Sequence, residues 1–124
     1  MVKFTIPLNP VTKKNSNVRT REGGIIASKA YRVYEKDVLR IIPPAARLHI
    51  SGRVNVRATY YTKIDYYKSK SRIDLNNLHN ALMDVLVAAG VLEDDNCKIV
   101  FSTDGSRVKC DKKYPRTEVE IWEC

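Results

Sequence analysis

Two small clusters of oxygen-bearing side chains, Asp74 with Asn76 and Asp94 with Asp95, flank one apolar run in a chain that is otherwise basic. Residues 73–105 hold six Asp and Glu against one Lys, a net charge of −5, while the whole chain of 124 residues carries +8. A hard divalent ion such as Mg²⁺ takes one or two carboxylates and fills its shell with water and substrate phosphate, so Asp74, Asn76, Asp94 and Asp95 are candidate ligands. An ion held in this way lowers the pKa of a bound water and screens a phosphodiester, which is what metal-assisted hydrolysis of nucleic acid requires. In extended backbone, residues two apart point to the same side, so Asp74 and Asn76 could face one ion. The same residues have ordinary structural uses: Asp74 as a helix N-cap, Asn76 in a first turn, Asp94-Asp95 in a solvated turn. Asp84, inside the apolar run, suits a surface or ion-pairing position. Spacing alone leaves both readings open.

The elements that must position these groups follow from periodicity. Leu75, Leu78, Leu82, Val85, Leu86 and Ala89 recur at helical spacing, and Gly90 stands where a glycine would end the helix. An earlier helix is expected from Ser28 as N-cap through Tyr31, Tyr34, Val38 and Ile41 or Ile42, stopped by Pro43-Pro44, with both tyrosines facing the core. Residues 2–8 and 53–61 alternate as strands. In the second of these, Val54, Val56, Ala58 and Tyr60 lie on a dry face, with Arg53, Asn55 and Arg57 on a charged one. Residues 97–103 and 116–122 read as two more strands, joined by a basic loop containing Gly105, Lys109, Lys112 and Lys113. The stretch 9–27 suggests a ribbon turning at Glu22-Gly23-Gly24. The order is β, possible ribbon, α, β, α, β, β, which a mixed sheet with helices packed on it would bury economically.

Length and composition bound the rest. A chain of this size builds one core, so one domain over residues 1–124 is expected. No apolar run approaches the roughly 18–20 residues of a membrane span, and the N-terminus lacks a secretory pattern, so membrane association and export are not expected. Cys97, Cys110 and Cys124 show no C-x-x-C pairing, fitting a reducing, cytoplasmic setting, and their spacing to His49 and His79 is not that of a zinc site. A pI near 9.5 directs attention to nucleic acid. The candidate phosphate contacts are Lys13, Lys14, Arg19 and Arg21 in the ribbon region, and Lys68, Lys70 and Arg72 in the stretch leading to Asp74.

Distance limits how the acidic clusters could meet. A helix over about residues 77–89 is roughly 20 Å long, and Gly90–Asp95 fully extended recovers about the same length. Either the chain folds straight back along the helix, or Asp74 meets Asp95 of a second copy across a two-fold axis; reach favours the second arrangement.

The run R-I-D-L-N-N-L-H-N-A-L-M-D-V-L followed by A-G-V-L-E-D-D resembles the signature of the RusA-type Holliday junction resolvases, small phage or prophage endonucleases. Their motif runs D-L-D-N-L-x-K-x-x-x-D-x-L and then a glycine and D-D. The resemblance covers residues 72–100 closely, and the P-L-N-P-V-T-K-K-N-S opening and the S-K-A-Y-R helix start more loosely. It implies an α+β domain, a mixed sheet with two main helices, acting as a homodimer that binds four-way DNA junctions and nicks two opposing strands in recombination and repair. The implied cofactor is Mg²⁺, with Mn²⁺ as a substitute and no small-molecule cofactor. The family's essential acidic residues fall on Asp74, position 76 and Asp95. Two positions depart from the motif: Asn76 stands where it has aspartate, and Asn80, a further candidate DNA contact, where it has lysine. His79 or Lys98 could compensate for that missing charge. The departures keep a second expectation in view, a branched-DNA-binding module without catalysis, and a third is a nuclease of RNA or single strands.

Overall fold

The computed structural model describes residues 1–12 and 29–124, and the backbone of 17–19 and 25–27. Its centre is the alternating segment at residues 53–61, which forms the nine-residue strand β4, Val54–Thr62. Counted along the chain, the elements are β1 (Val2–Ile6), β2 (Asn17–Arg19), β3 (Ile25–Ala27), α1 (Lys29–Ile41), β4, α2 (Leu75–Ala88), β5 (Val100–Ser102), β6 (Arg107–Cys110) and β7 (Arg116–Glu123). The main sheet has five strands in the order β1-β7-β4, with β5 and then β6 along the outer edge of β4. β7 runs antiparallel to both β1 and β4, in a register that sets Phe4 and Ala58 beside Val119 and Val2 and Val56 beside Ile121. β5 and β6 run parallel to β4. The fold is α+β, in a single domain.

Because side chains alternate across a strand, one sheet face collects Phe4, Ile6, Val56, Ala58, Tyr60, Val119 and Ile121, all buried. Both helices join that core. α1 contributes Tyr34 and Val38, with Tyr31 also buried, as its helical spacing requires. Ile42, 2% exposed, completes the stripe, while Ile41 is 37% exposed. The helix stops ahead of Pro43-Pro44, and the Arg47 guanidinium donates to the terminal carbonyls of Leu39 and Ile42. α2 buries Leu78, Leu82, Val85 and Leu86; at about 1.5–3 kcal/mol for each large aliphatic side chain, this packing rather than intrinsic propensity holds the helix in place.

Gly90 ends α2 at φ +77°, a conformation that costs glycine little, and a Cβ there would meet His49 Cε1 at 2.8 Å. The chain then pairs with a distant segment. His49 N–H donates to Gly90 O (2.8 Å), Ile50 N–H to Val91 O (3.0 Å), and Glu93 N–H to Ile50 O (2.9 Å). α2 is thus the crossover of a parallel β4-α2-β5 unit, its first turn beside the later half of β4 and its last turn beside the start.

Two expectations need correction. The stretch taken as a basic loop contains β6, which pairs Arg107 with Thr59 and Cys110 with Thr62. The preceding strand is also shorter than 97–103: Ile99 N–H and Val100 N–H both donate to Asn96 O, so Cys97–Ile99 form a turn and β5 begins at Val100. Between β5 and β6 the edge is bridged by Asn55, only 3% exposed. Its amide oxygen accepts from Ser102 Oγ and Asp104 N–H, and its amide nitrogen donates to Asp104 O. The ribbon is present as β2 paired antiparallel with β3; its turn at Glu22-Gly23-Gly24 and the N-cap candidate Ser28 lie outside the described residues. No helix among the described residues is long and apolar enough to cross a membrane.

Candidate active site

Asp74 occupies the N-cap position of α2 with extended backbone, φ −98° and ψ 131°, and its carbonyl accepts from the N–H groups of Asn77 and Leu78. Its carboxylate does not make the usual cap bond to the helix backbone. It accepts instead from the Asn77 side-chain amide at 3.2 Å, and the residue is exposed. An N-cap aspartate that leaves the helix N–H groups to others keeps oxygen lone pairs for a cation or a water. Asn76, also exposed, already lies in the first turn, so the extended-chain route to a shared face with Asp74 does not apply.

Asp74 opens on a cleft of about 520 Å³ whose walls include Tyr66, Tyr67, Arg72, Ser106 and Arg107. Both walls are fixed by hydrogen bonds. Ser106 Oγ accepts from Ala58 N–H at 3.0 Å, and Tyr67 hydroxyl donates to Val108 O at 2.8 Å, although Tyr67 is 79% exposed. The loop carrying Lys68 and Lys70 is organised by Asp65, whose carboxylate accepts from Tyr67 N–H and whose carbonyl accepts from Lys68 and Ser69. Some arginines are neutralised, Arg57 by Glu120 at 2.6 Å and Arg116 by Asp111 at 2.8 Å, while Arg32, Arg47 and Arg53 form no ion pair with a described residue. Among the described residues, Arg72 and Arg107 form no such pair.

At the other end of α2, Asp94 uses both oxygens locally: Oδ1 accepts from Asp95 N–H (2.8 Å) and Oδ2 from the Asn96 amide (3.0 Å). The Asp95 N–H holds the Asp94 carboxyl below its ordinary range. Asp94 therefore shapes the turn and presents Asp95, which is exposed. The 14 residues of α2, about 20 Å at 1.5 Å each, separate this turn from Asp74. Glu93 is held by Ile50, and the strand that follows this turn pairs with the start of β4, whereas α2 begins beside its later half, so this turn and Asp74 belong to opposite ends of the crossover.

His79 faces inward. Its Nδ1 lies 2.6 Å from the Tyr60 hydroxyl, and Nε2 is buried without a partner among the described residues. Burial lowers the His79 pKa and raises that of Tyr60, so the pair is neutral at physiological pH and gives the cleft no charge. Asn80 is exposed, and Lys98 sits in the turn with Asp95, where its N–H donates to Asn96 Oδ1. His79 therefore supplies no charge at Asn80, and within one chain Lys98 belongs to the turn beyond the other end of α2. Lys13, Lys14 and Arg21, with the side chain of Arg19, lie outside the described residues. Sequence reasoning passed over Arg107 and Ser106; the alternation R-V-K-C was the available signal, and it spans only four residues.

No three His, Cys, Asp or Glu side chains among the described residues form a cation cage. At this end of α2 the cleft offers the Asp74 carboxylate, and a site with so few protein ligands suits an ion that keeps water and phosphate in its shell. The comparisons with known proteins bear on the same segment. No protein of curated function matches the chain. Residues 7–122 match the family described as Endodeoxyribonuclease RusA. That match takes in β4, α2 and both flanks, the parts that build the cleft, together with nearly all the rest, and the chain therefore belongs to the RusA endodeoxyribonuclease family.

Proposed function

We propose that this protein is a structure-selective endodeoxyribonuclease that binds four-way DNA junctions as a homodimer and resolves them by paired nicking, in the cytoplasm, during phage or prophage recombination and repair. The observation that carries the reading is the Asp74 carboxylate, placed at a helix N-cap without capping and opening on a cleft with two unpaired arginines. Family membership supports DNA as the partner. In the reaction, water oxygen bonds to phosphorus, one P–O ester bond breaks, and a proton from the water ends on the leaving oxygen. Mg²⁺, held by Asp74 and Asn76 when bound, would supply Lewis acidity to the water and the phosphate, and Mn²⁺ would do the same. Because Asn76 is neutral, the ion is held more weakly than by two carboxylates. Asp74 orients the water, Arg72 draws the phosphate in, and Lys68 and Lys70 follow the flanking backbone. Asp95 completes the site from the partner subunit, a reading supported by its place in the turn at the opposite end of the crossover from Asp74.

A competing reading, a branched-DNA-binding module without catalysis, draws on Asn76 and Asn80, both exposed and uncharged. A labelled four-way junction titrated with Mg²⁺ or Mn²⁺ separates the two: the nuclease gives paired nicks, the module only a salt-sensitive mobility shift. Mixed dimers test the shared site. Combining Asp74→Asn with Asp95→Asn subunits should regenerate one intact site, from Asp74 of one and Asp95 of the other, and nick a single strand. Mixed dimers as inactive as either parent would exclude a site built across the two-fold.

A further inference from the structure

We infer that Arg107, at the start of β6, grips the phosphate that is cut and stabilises the charge that builds on it. The inference rests on the nuclease reading above and adds to it a residue outside the recognised motif. Arg107 and Arg72 share a cleft with Asp74, yet no guanidinium comes within 4 Å of that carboxylate. A cleft lined by an aspartate and two arginines that form no ion pair with it leaves space for a third group, negative toward the arginines and bound to a cation or water on the acidic side. A phosphodiester meets both conditions. The cleft, about 520 Å³, falls within the usual size range of ligand sites.

The two arginines are held differently. Arg72 lies in the irregular stretch leading into α2, whereas Arg107 is in the sheet, its backbone paired with Thr59. Its neighbours are anchored on both sides, Ser106 Oγ to Ala58 N–H and Val108 O to the Tyr67 hydroxyl. Attack by water spreads extra negative charge over the non-bridging phosphate oxygens. A donor that needs no rearrangement at that moment stabilises the transition state most, and the fork of a guanidinium matches two such oxygens. Arg107 is thus the better placed to act on the reaction itself, while Arg72 attracts DNA.

Two measurements on the full chain test this. At saturating protein and Mg²⁺, Arg107→Ala should slow single-turnover cleavage of a four-way junction by about 100-fold while junction Kd changes only a few-fold, and Arg107→Lys should recover part of the rate. Cleavage at the wild-type rate with only weaker binding would reduce Arg107 to one more backbone contact and overturn the inference. The second measurement needs no cleavage. Junctions carrying one neutral methylphosphonate at successive positions, bound in EDTA, should reveal a phosphate whose charge matters to the wild type and no longer matters to Arg107→Ala. Coincident profiles for the two proteins would overturn the inference whether or not the wild type nicks, whereas a wild type that never nicks counts against the nuclease reading alone.

Discussion

The two ends of α2 carry nearly the same chemistry in sequence and quite different chemistry in space. At its N-terminus, Asp74 has the cap position but not the cap bond, and it shares a cleft with cations that have no other partner. At its C-terminus, Gly90 turns the chain onto Ile50, and Asp94 gives both oxygens to the turn that exposes Asp95. Residue type does not distinguish a working carboxylate from a structural one. What the surrounding N–H groups and cations leave unsatisfied does.

The contrast is most open to attack at Asp74. Asp74→Asn should lower junction cleavage by roughly 10³-fold or more while leaving affinity unchanged or tighter, because a negative charge beside DNA is removed. A single-turnover rate near wild type would cancel the distinction between the ends. Gly90→Ala acts on the other end. A positive φ and a Cβ within 2.8 Å of His49 should together cost about 1–3 kcal/mol, seen as a lower Tm. If thermal unfolding were unchanged, the pinning of the Asp95 turn would be in doubt. The smallest effect concerns His79, between the two ends. Its folded pKa is depressed by burial, so as pH falls the unfolded chain takes the proton first. Its contribution to stability is complete above the ordinary value of about 6.5 and is lost as pH drops below it. Melting curves from pH 7.5 to 5.5 should decline, and His79→Gln should flatten that decline; identical slopes would assign the acid limb to another group.

Much of this architecture is legible in the amino-acid order, for reasons that differ by element. α2 and β4 each bury four or more side chains at one strict period, so local pattern and tertiary demand agree. β6 escaped because an edge strand of four residues with two apolar members is too short for its alternation to stand out. Gly90–Asp95 is long enough to fold back along α2, and its actual course is set by pairing with Ile50, some forty residues earlier, which local spacing does not announce. The acidic flanks were visible by type, but whether Asp74 caps its helix depends on backbone geometry that spacing does not encode. Arg107 could not be placed beside Asp74 without knowing β6.

The peg formed by Asn55 extends this dependence. By filling the gap between β5 and β6, it acts as a keyed joint that stops the outer edge from creeping along its neighbour. The length of the turn at 103–106 is thereby fixed. One residue gained or lost there would carry Arg107 across the pleat to the opposite side of the sheet, so a change of length in this turn would take Arg107 away from the cleft at Asp74 while the fold survives.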